Sequence, residues 1–472
     1  MITYEDLTAS ERKVWDGFPT GRRVDLSGLK GGRRTVRATV LRALLLRAPG
    51  EPGDEAAALN VVGARVTGSL ILNGCEIRHL LMLEDCELEG RVSLAGATTQ
   101  AIGFVGCRLP GIWAPSARIG GRLDLRRSTI GNVDYDPLQL LHTHIAGALR
   151  LDDAVVIAPG RLALSAGGMQ IDGAVVGDRM RTEGGVLLPG ARLAGGLFMA
   201  EAHLSCPDGI AFGADNATAS SMRCAFTAEG AVRLRGVQVA DLLSFEGAGL
   251  TTLSIVGARA AELDLRFAVA PASVDLRNVQ VSWAYDDAAT WPGELRLHGF
   301  TYDSLDGSGA AARLTWIRRN PAYAAQPYEQ LAGHFRRVGH DDEARRVLLA
   351  KQRHRRATAR PLSRVWGYLF DATVGYGYRP WLAAVWLAVL VPAATLVFCS
   401  HTPIPVKKGE GAPFNALVYT LDLLIPIGGL GQRTAWYWPD QAVQWLAYLL
   451  IAIGWALTTA IVAGATRALV KT

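Results

Sequence analysis

Along the middle of the chain, apolar residues recur two positions apart, and a small residue follows three positions later. The motif reads Leu72–Asn73–Gly74–Cys75–Glu76–Ile77, then Leu83–Glu84–Asp85–Cys86–Glu87–Leu88. It continues as Phe104–Val105–Gly106–Cys107–Arg108–Leu109 and Leu125–Arg126–Arg127–Ser128–Thr129–Ile130. The small residue falls at Cys75, Cys86, Ala97, Cys107, Ala117 and Ser128, at intervals of 11, 11, 10, 10 and 11. The pattern returns at Leu149–Arg150–Leu151 and Leu197–Phe198–Met199, runs from Val232 to Val281, and ends near Leu295–Arg296–Leu297. Period two marks a strand with one buried face. Each unit alone is too short to bury that face, whereas stacked units bury a continuous core. Two units make about 21 residues, one coil of a solenoid, and coils stack at ~4.8 Å. The fold class is therefore mainly β: a parallel β-helix over residues 56–305, of about eleven coils and roughly 50 Å in length. Irregular stretches at Val133–His144, Asp172–Glu183 and Cys206–Arg223 read as inserted loops, where a solenoid can bind a protein or a small ligand.

A solenoid needs its open strand edges covered. Residues 1–55 read as a helical cap: Thr8-x-x-Glu11 is a capping box, and Thr35–Arg47 an amphipathic helix. Residues 306–360 read as a helical hairpin with a basic tail. Its helices are Pro327–Arg337 and Asp341–Arg356, with Gly339 at the turn. Arg345, Arg346, Lys351, Arg353, Arg355 and Arg356 form the basic surface expected to face lipid headgroups.

Repeats and caps together resemble the pentapeptide-repeat-like proteins of actinobacteria. So does the opening Glu11–Arg12–Lys13–Val14–Trp15, Val24–Asp25–Leu26 and Leu41–Arg42–Ala43–Leu44–Leu45–Leu46. The resemblance implies a right-handed parallel β-helix with a C-terminal membrane part. Chains of this build often bear the label membrane-associated oxidoreductase. The repeats here are too degenerate for a strict five-residue pattern, so no site residue comes with the likeness.

Residues 361–472 read as the membrane domain. Trp381–Phe398 and Ala442–Ala465 are uncharged apolar runs, and they predict a two-helix transmembrane hairpin. Trp381, Trp386, Tyr437, Trp438 and Trp445 supply interfacial aromatics. Basic residues lie before the first run and after the second, which places the protein in the plasma membrane with both termini cytoplasmic. Residues 1–30 lack the apolar core of a signal peptide. Leu362–Phe370 reads as an interfacial helix and Gly375–Tyr376–Gly377–Tyr378 as an elbow. Ala452, Ala456, Ala460 and Gly464 form a row of small residues for helix packing, within the chain or against a second copy.

Residues 414–432, between the two runs, read as a re-entrant segment: an apolar helix, then Ile425–Pro426–Ile427–Gly428–Gly429–Leu430–Gly431–Gln432. The order is similar to the two-span pore module of potassium-type channels, in which backbone carbonyls replace an ion's water shell. The Thr-x-Gly-Tyr-Gly motif of that family is absent. Asp422, Gly428, Gly429 and Gly431 are the pore or filter candidates, Asp422 because an ionisable residue within a membrane is a functional candidate.

Composition narrows the function. Half of the residues are hydrophobic, which excludes a disordered chain, and Gly is high at 52 of 472. Residues 61–306 hold 20 Arg against 27 Asp and Glu, a net −7; this is too mild for nucleic-acid mimicry, and no nucleic-acid partner is expected. Residues 313–364 carry a net +9 just before the apolar runs. The six Cys contain no CxxC pair, and His142-x-His144 lacks further ligands, so no metal is expected. Gly307–Ala312 imitates a dinucleotide turn without a following parallel strand, and no cofactor or catalytic residue is expected. Two readings lead: a membrane-anchored solenoid scaffold, expected to be oligomeric by its small-residue row, and a two-span pore-loop protein gated by the solenoid. An oxidoreductase is the third.

Overall fold

A computed structural model describes residues 3–47, 57–307, 309–357, 381–407, 412–425 and 429–469. The chain divides into two units, Met1–Gln330 and Leu331–Thr472.

The first unit is a β-solenoid of about eleven turns, with thirty-five strands among the described residues paired in parallel in one sheet. Leu81 pairs with Ile102, and Ile102 with Leu123, so a coil here takes 21 residues. Each coil has four short sides. One runs Leu80–Glu84, Glu87–Leu88, Val92–Ser93 and Thr98–Thr99. Inward residues stack from coil to coil: Leu72, Leu94, Ala114, Leu140, Ala166 and Leu188 head a column that continues to Leu297, all buried. Two corners of most coils turn through the left-handed region: Gly63, Asp85, Gly106, Arg127, Asp153, Arg179, Glu201 and Gly247 lie at one, and the other is richer in glycine. Gly74, Gly96, Ser116, His142, Gly168, Gly190, Asn216, Gly236, Gly257, Asn278 and Gly299 occupy it, with φ between 52° and 78°. Gly, and then Asn, bear that conformation at least cost, which explains the glycine excess.

The small residues sit where backbones approach. The Cys86 N–H points at Cys107 Sγ, and the Cys107 N–H donates to Ser128 Oγ at 3.0 Å. These thiols are packing groups in the core, like Cys224, whose pKa burial raises to about 12.

Two of the three expected insertions are regular coil. Asp172–Glu183 and Cys206–Arg223 run through paired strands, with register shifts near Glu183 and Ser205. Bulges absorb the extra residues without breaking the ladder. A loop does leave the third stretch, around Asn132–Pro137, where Val133 is 72% exposed.

At the N-terminal end, α1 (Ala9–Gly17) starts at the expected capping box: Thr8 N–H donates to Glu11 and Glu11 N–H to Thr8. Glu11 is 1% exposed and takes three hydrogen bonds from Arg37, one backbone and two guanidinium. The second helix is shorter than the sequence suggests. α2 is Ala38–Leu45, and Thr35–Arg37 is instead a strand pairing with Arg65–Thr67. β-branched Thr35 and Val36 fit a strand that covers the first coil's edge. At the other end, α3 (Ala310–Arg318) closes the rod. Its buried Arg313 pairs with Asp286 at 2.5 Å, donates to the Asp306 carbonyl, and lies beside the rings of Trp291 and Trp316.

Helix α4 spans Gln326–Arg337, and α5 (Asp341–Ala357) follows the Gly339 turn. In the second unit the described residues also form α6 (Trp381–Cys399), α7 (Ala416–Leu424), α8 (Gln432–Ala435) and α9 (Gln441–Leu469). Among the described residues one helix is long and apolar enough to cross a membrane, within Gln441–Thr459. The described apolar part of α6, Ala384–Cys399, is shorter than a span. Leu362–Phe370, Gly375–Tyr378 and Gly428 lie outside the described residues.

Candidate functional site

The second unit holds a built polar site inside an apolar cluster. An antiparallel pair, Ile404–Pro405 with Trp436–Tyr437, ties together the two ends of the segment between them. That segment therefore leaves and returns at one level. Its helix α7 starts at Asn415, whose side-chain oxygen accepts the N–H groups of Leu417 and Val418. Tyr419, Thr420, Asp422, Leu423 and Leu424 are buried. The cluster around them takes Ala394 and Phe398 from α6 and Val443, Ala447 and Leu450 from α9. At the entry level, Trp438 donates to the Tyr419 hydroxyl at 3.1 Å, and Phe398 stacks on Trp438 at 5.1 Å.

The far end of α7 meets Gly454. An added Cβ there would lie 2.4 Å from the Leu424 carbonyl oxygen. Gly454 is thirteen residues beyond Gln441, so α7 reaches about 20 Å along α9 before the chain turns back.

The return is held by side chains. Asp422 is fully buried, and each carboxylate oxygen accepts one backbone N–H at 2.8 Å, from Leu430 and from Arg433. Gln432, also buried, donates to the Pro413 carbonyl and accepts the Asn415 N–H. Gly431 turns at φ 79°, ahead of α8. In contrast, Gly429, Leu430 and Gly431 themselves are exposed. Asp422 and the glycines are thus brought together, with the carboxylate acting as a clamp on the loop.

The small-residue row lies elsewhere. Ala452 and Ala456 are exposed, while Val443, Ala447, Leu450, Gly454 and Leu457 form the buried face of α9. Of Ala460 and Gly464 the structure describes only the backbone, which is helical. Sequence reasoning missed Gly454 and Gln432. A lone Gly in an apolar run was visible, but two registers of small residues compete there, and only packing selects one.

On α5, Arg345, Arg346, Arg353 and Arg355 are exposed; Lys351 and Arg356 are half-buried. Arg345 and Arg346 pair with Asp342 and Glu343 one turn earlier. On the solenoid, a depression of about 540 Å³ lies beside the Asn132–Pro137 loop, lined by Leu109, Pro110, Val133, Ile157 and Arg108 among others. His142 is a turn residue, and His144 pairs with Asp172 at 3.1 Å. No group of three or more His, Cys, Asp or Glu could hold a metal ion among the described residues.

No family model, curated protein or solved structure matches this chain.

Proposed function

We propose that this protein is a membrane-anchored β-solenoid whose C-terminal unit is a two-span module with a re-entrant loop, assembled as a symmetric oligomer. One observation carries the reading. Helix α7 enters about 20 Å along α9, and the loop that follows leaves Gly429, Leu430 and Gly431 uncovered. Irregular backbone at membrane depth is tolerated where protein covers it or where it lines a water-filled cavity. A single chain supplies no such cover among the described residues, so neighbouring copies meeting around an axis would complete the site. Exposed Ala452 and Ala456 allow close approach of a neighbouring helix. In this reading Trp381–Phe398 and Ala442–Ala465 are the two spans. The basic residues of α5 lie at the cytoplasmic headgroups, with both termini on that side. In this reading the solenoid is the binding part.

Ion conduction is the second reading, favoured by the order of long helix, short buried helix, pinned Gly-rich loop and long helix. The oxidoreductase label finds no support in the site's residues. The test is the mass of the full chain in lipid nanodiscs, followed by ion flux from liposomes. A symmetric oligomer is expected. A strictly monomeric protein would overturn the reading. An oligomer without flux would leave the anchored scaffold and remove the channel.

A further inference from the structure

One outer face of the solenoid differs from the other three. Parallel pairing aligns a single outward residue from each coil: Glu76, then Thr98, Arg118, His144, Gln170, Arg192, Thr218, Gln238, Arg259, Gln280 and Thr301. All are exposed except His144, which is partly covered. From Thr98 onward the ladder holds no carboxylate and no aromatic ring. Arginine stands at every third rung, Arg118, Arg192 and Arg259, with two neutral hydrogen-bonding residues between. Rungs are ~4.8 Å apart, so the arginines lie about 14 Å from one another along the rod.

Among the described residues, these three guanidiniums have no hydrogen-bond or ion-pair partner. Arginines on other faces commonly do: Arg126 with Asp124, Arg150 with Asp152, Arg266 with Asp264, Arg277 with Asp275. From Thr98 onward the one acid contact on the ladder is Asp172 with His144. Beside the ladder, from Gly120 to Ala240, runs a row of small residues, Gly120, Ala146, Ala194, Ser220 and Ala240, interrupted once by the carboxylate of Asp172, and then a corner of stacked glycines, Gly121, Gly147, Gly173 and Gly195. That side of the face is therefore low, and a chain can lie along it.

We propose that this ladder docks a linear chain of phosphoryl oxyanions, a polyphosphate. From Thr98 onward every rung but His144, whose Nε2 faces Asp172, offers a donor: guanidinium, carboxamide or hydroxyl. Arginine matches phosphoryl oxygens in pairs, with charge-assisted hydrogen bonds. Single-stranded nucleic acid would call for aromatic platforms under its bases, and the ladder has none. The negative balance of the remaining solenoid surface repels a polyanion and steers it to this face. The proposal is independent of the membrane reading.

The experiment uses the full chain in zwitterionic nanodiscs, with inorganic polyphosphate as the probe. The variant Arg118→Gln, Arg192→Gln, Arg259→Gln should raise Kd about tenfold or more and flatten its salt dependence. A control with the same charge change on other faces, Arg108→Gln, Arg181→Gln, Arg235→Gln, should shift Kd less than about threefold. Circular dichroism reports whether both remain folded. Absence of polyphosphate binding at low salt would overturn the proposal. So would equal loss in both variants, or tighter binding of single-stranded DNA or hyaluronan than of polyphosphate.

Discussion

Gly454 and Leu424 touch backbone to backbone: a Cβ built on Gly454 would lie 2.4 Å from the Leu424 oxygen. The contact lets the end of a short helix press against the middle of a long one, and it fixes how far α7 penetrates. Gly454→Ala must push the two helices apart. Overpacking of this kind costs about 1–3 kcal/mol. The detergent-solubilised variant should melt earlier than the parent, whereas Ala456→Gly, on the exposed face, should cost only about 1 kcal/mol through helix propensity. Equal melting temperatures for Gly454→Ala and the parent would refute the contact.

Asp422 is the clamp on the returning loop, because both of its oxygens are acceptors for backbone N–H groups. Asp422→Asn keeps the shape but turns one acceptor into a donor facing a donor. A buried unmet pair of this kind costs about 1–3 kcal/mol. Amide exchange measured by mass spectrometry should quicken over residues 429–435 and stay unchanged in the solenoid. Protection that survives the substitution would show that the clamp is dispensable.

The N-terminal cap carries a pH dependence. Burial favours the neutral form of Glu11, but hydrogen bonds from the Arg37 side chain and from the Thr8 and Arg37 backbones outweigh it and lower the pKa from 4.5 to about 2. Since the folded value lies below the unfolded one, the contribution is complete above about pH 5. It falls away as pH drops through 4.5 towards 2 and amounts to about 3 kcal/mol. Limited proteolysis of residues 3–47 at graded pH should show protection fading across that window. Glu11→Gln should remove the slope.

Arg313 is enclosed between Trp291 and Trp316, with Asp286 as its ion partner. Arg313→Ala strands a buried carboxylate, and breaking such a pair costs about 3–5 kcal/mol. The last coils, near residues 280–305, should lose exchange protection first. Adding Asp286→Ala should recover part of the loss. A double variant worse than the single one would contradict this account.

The rod was legible from the sequence because its period is local. Leu83, Phe104 and Leu125 repeat the same inward position, and Gly recurs at many of the left-handed corners. The caps were legible where a short motif suffices, as in Thr8-x-x-Glu11, and less so at Thr35–Arg37, where helical spacing hid a strand that only the neighbouring coil pairs. The loops expected at Asp172–Glu183 and Cys206–Arg223 are coils, because a bulge looks like an interruption in one dimension and keeps the ladder in three. In the second unit, Asp422 stood out as a lone acid in an apolar stretch. Its two N–H partners, up to eleven positions away, did not.

The chain's own pattern determined that short apolar strands would stack, since each coil buries its side chains only against a copy of itself. Tertiary structure alone decided which residues become neighbours across coils. Arg118, Arg192 and Arg259 are far apart in sequence at unequal intervals, yet they stand three rungs apart each time. Coil length varies with bulges and loops, so sequence distance does not measure height along the rod. Hydrogen-bonded register does.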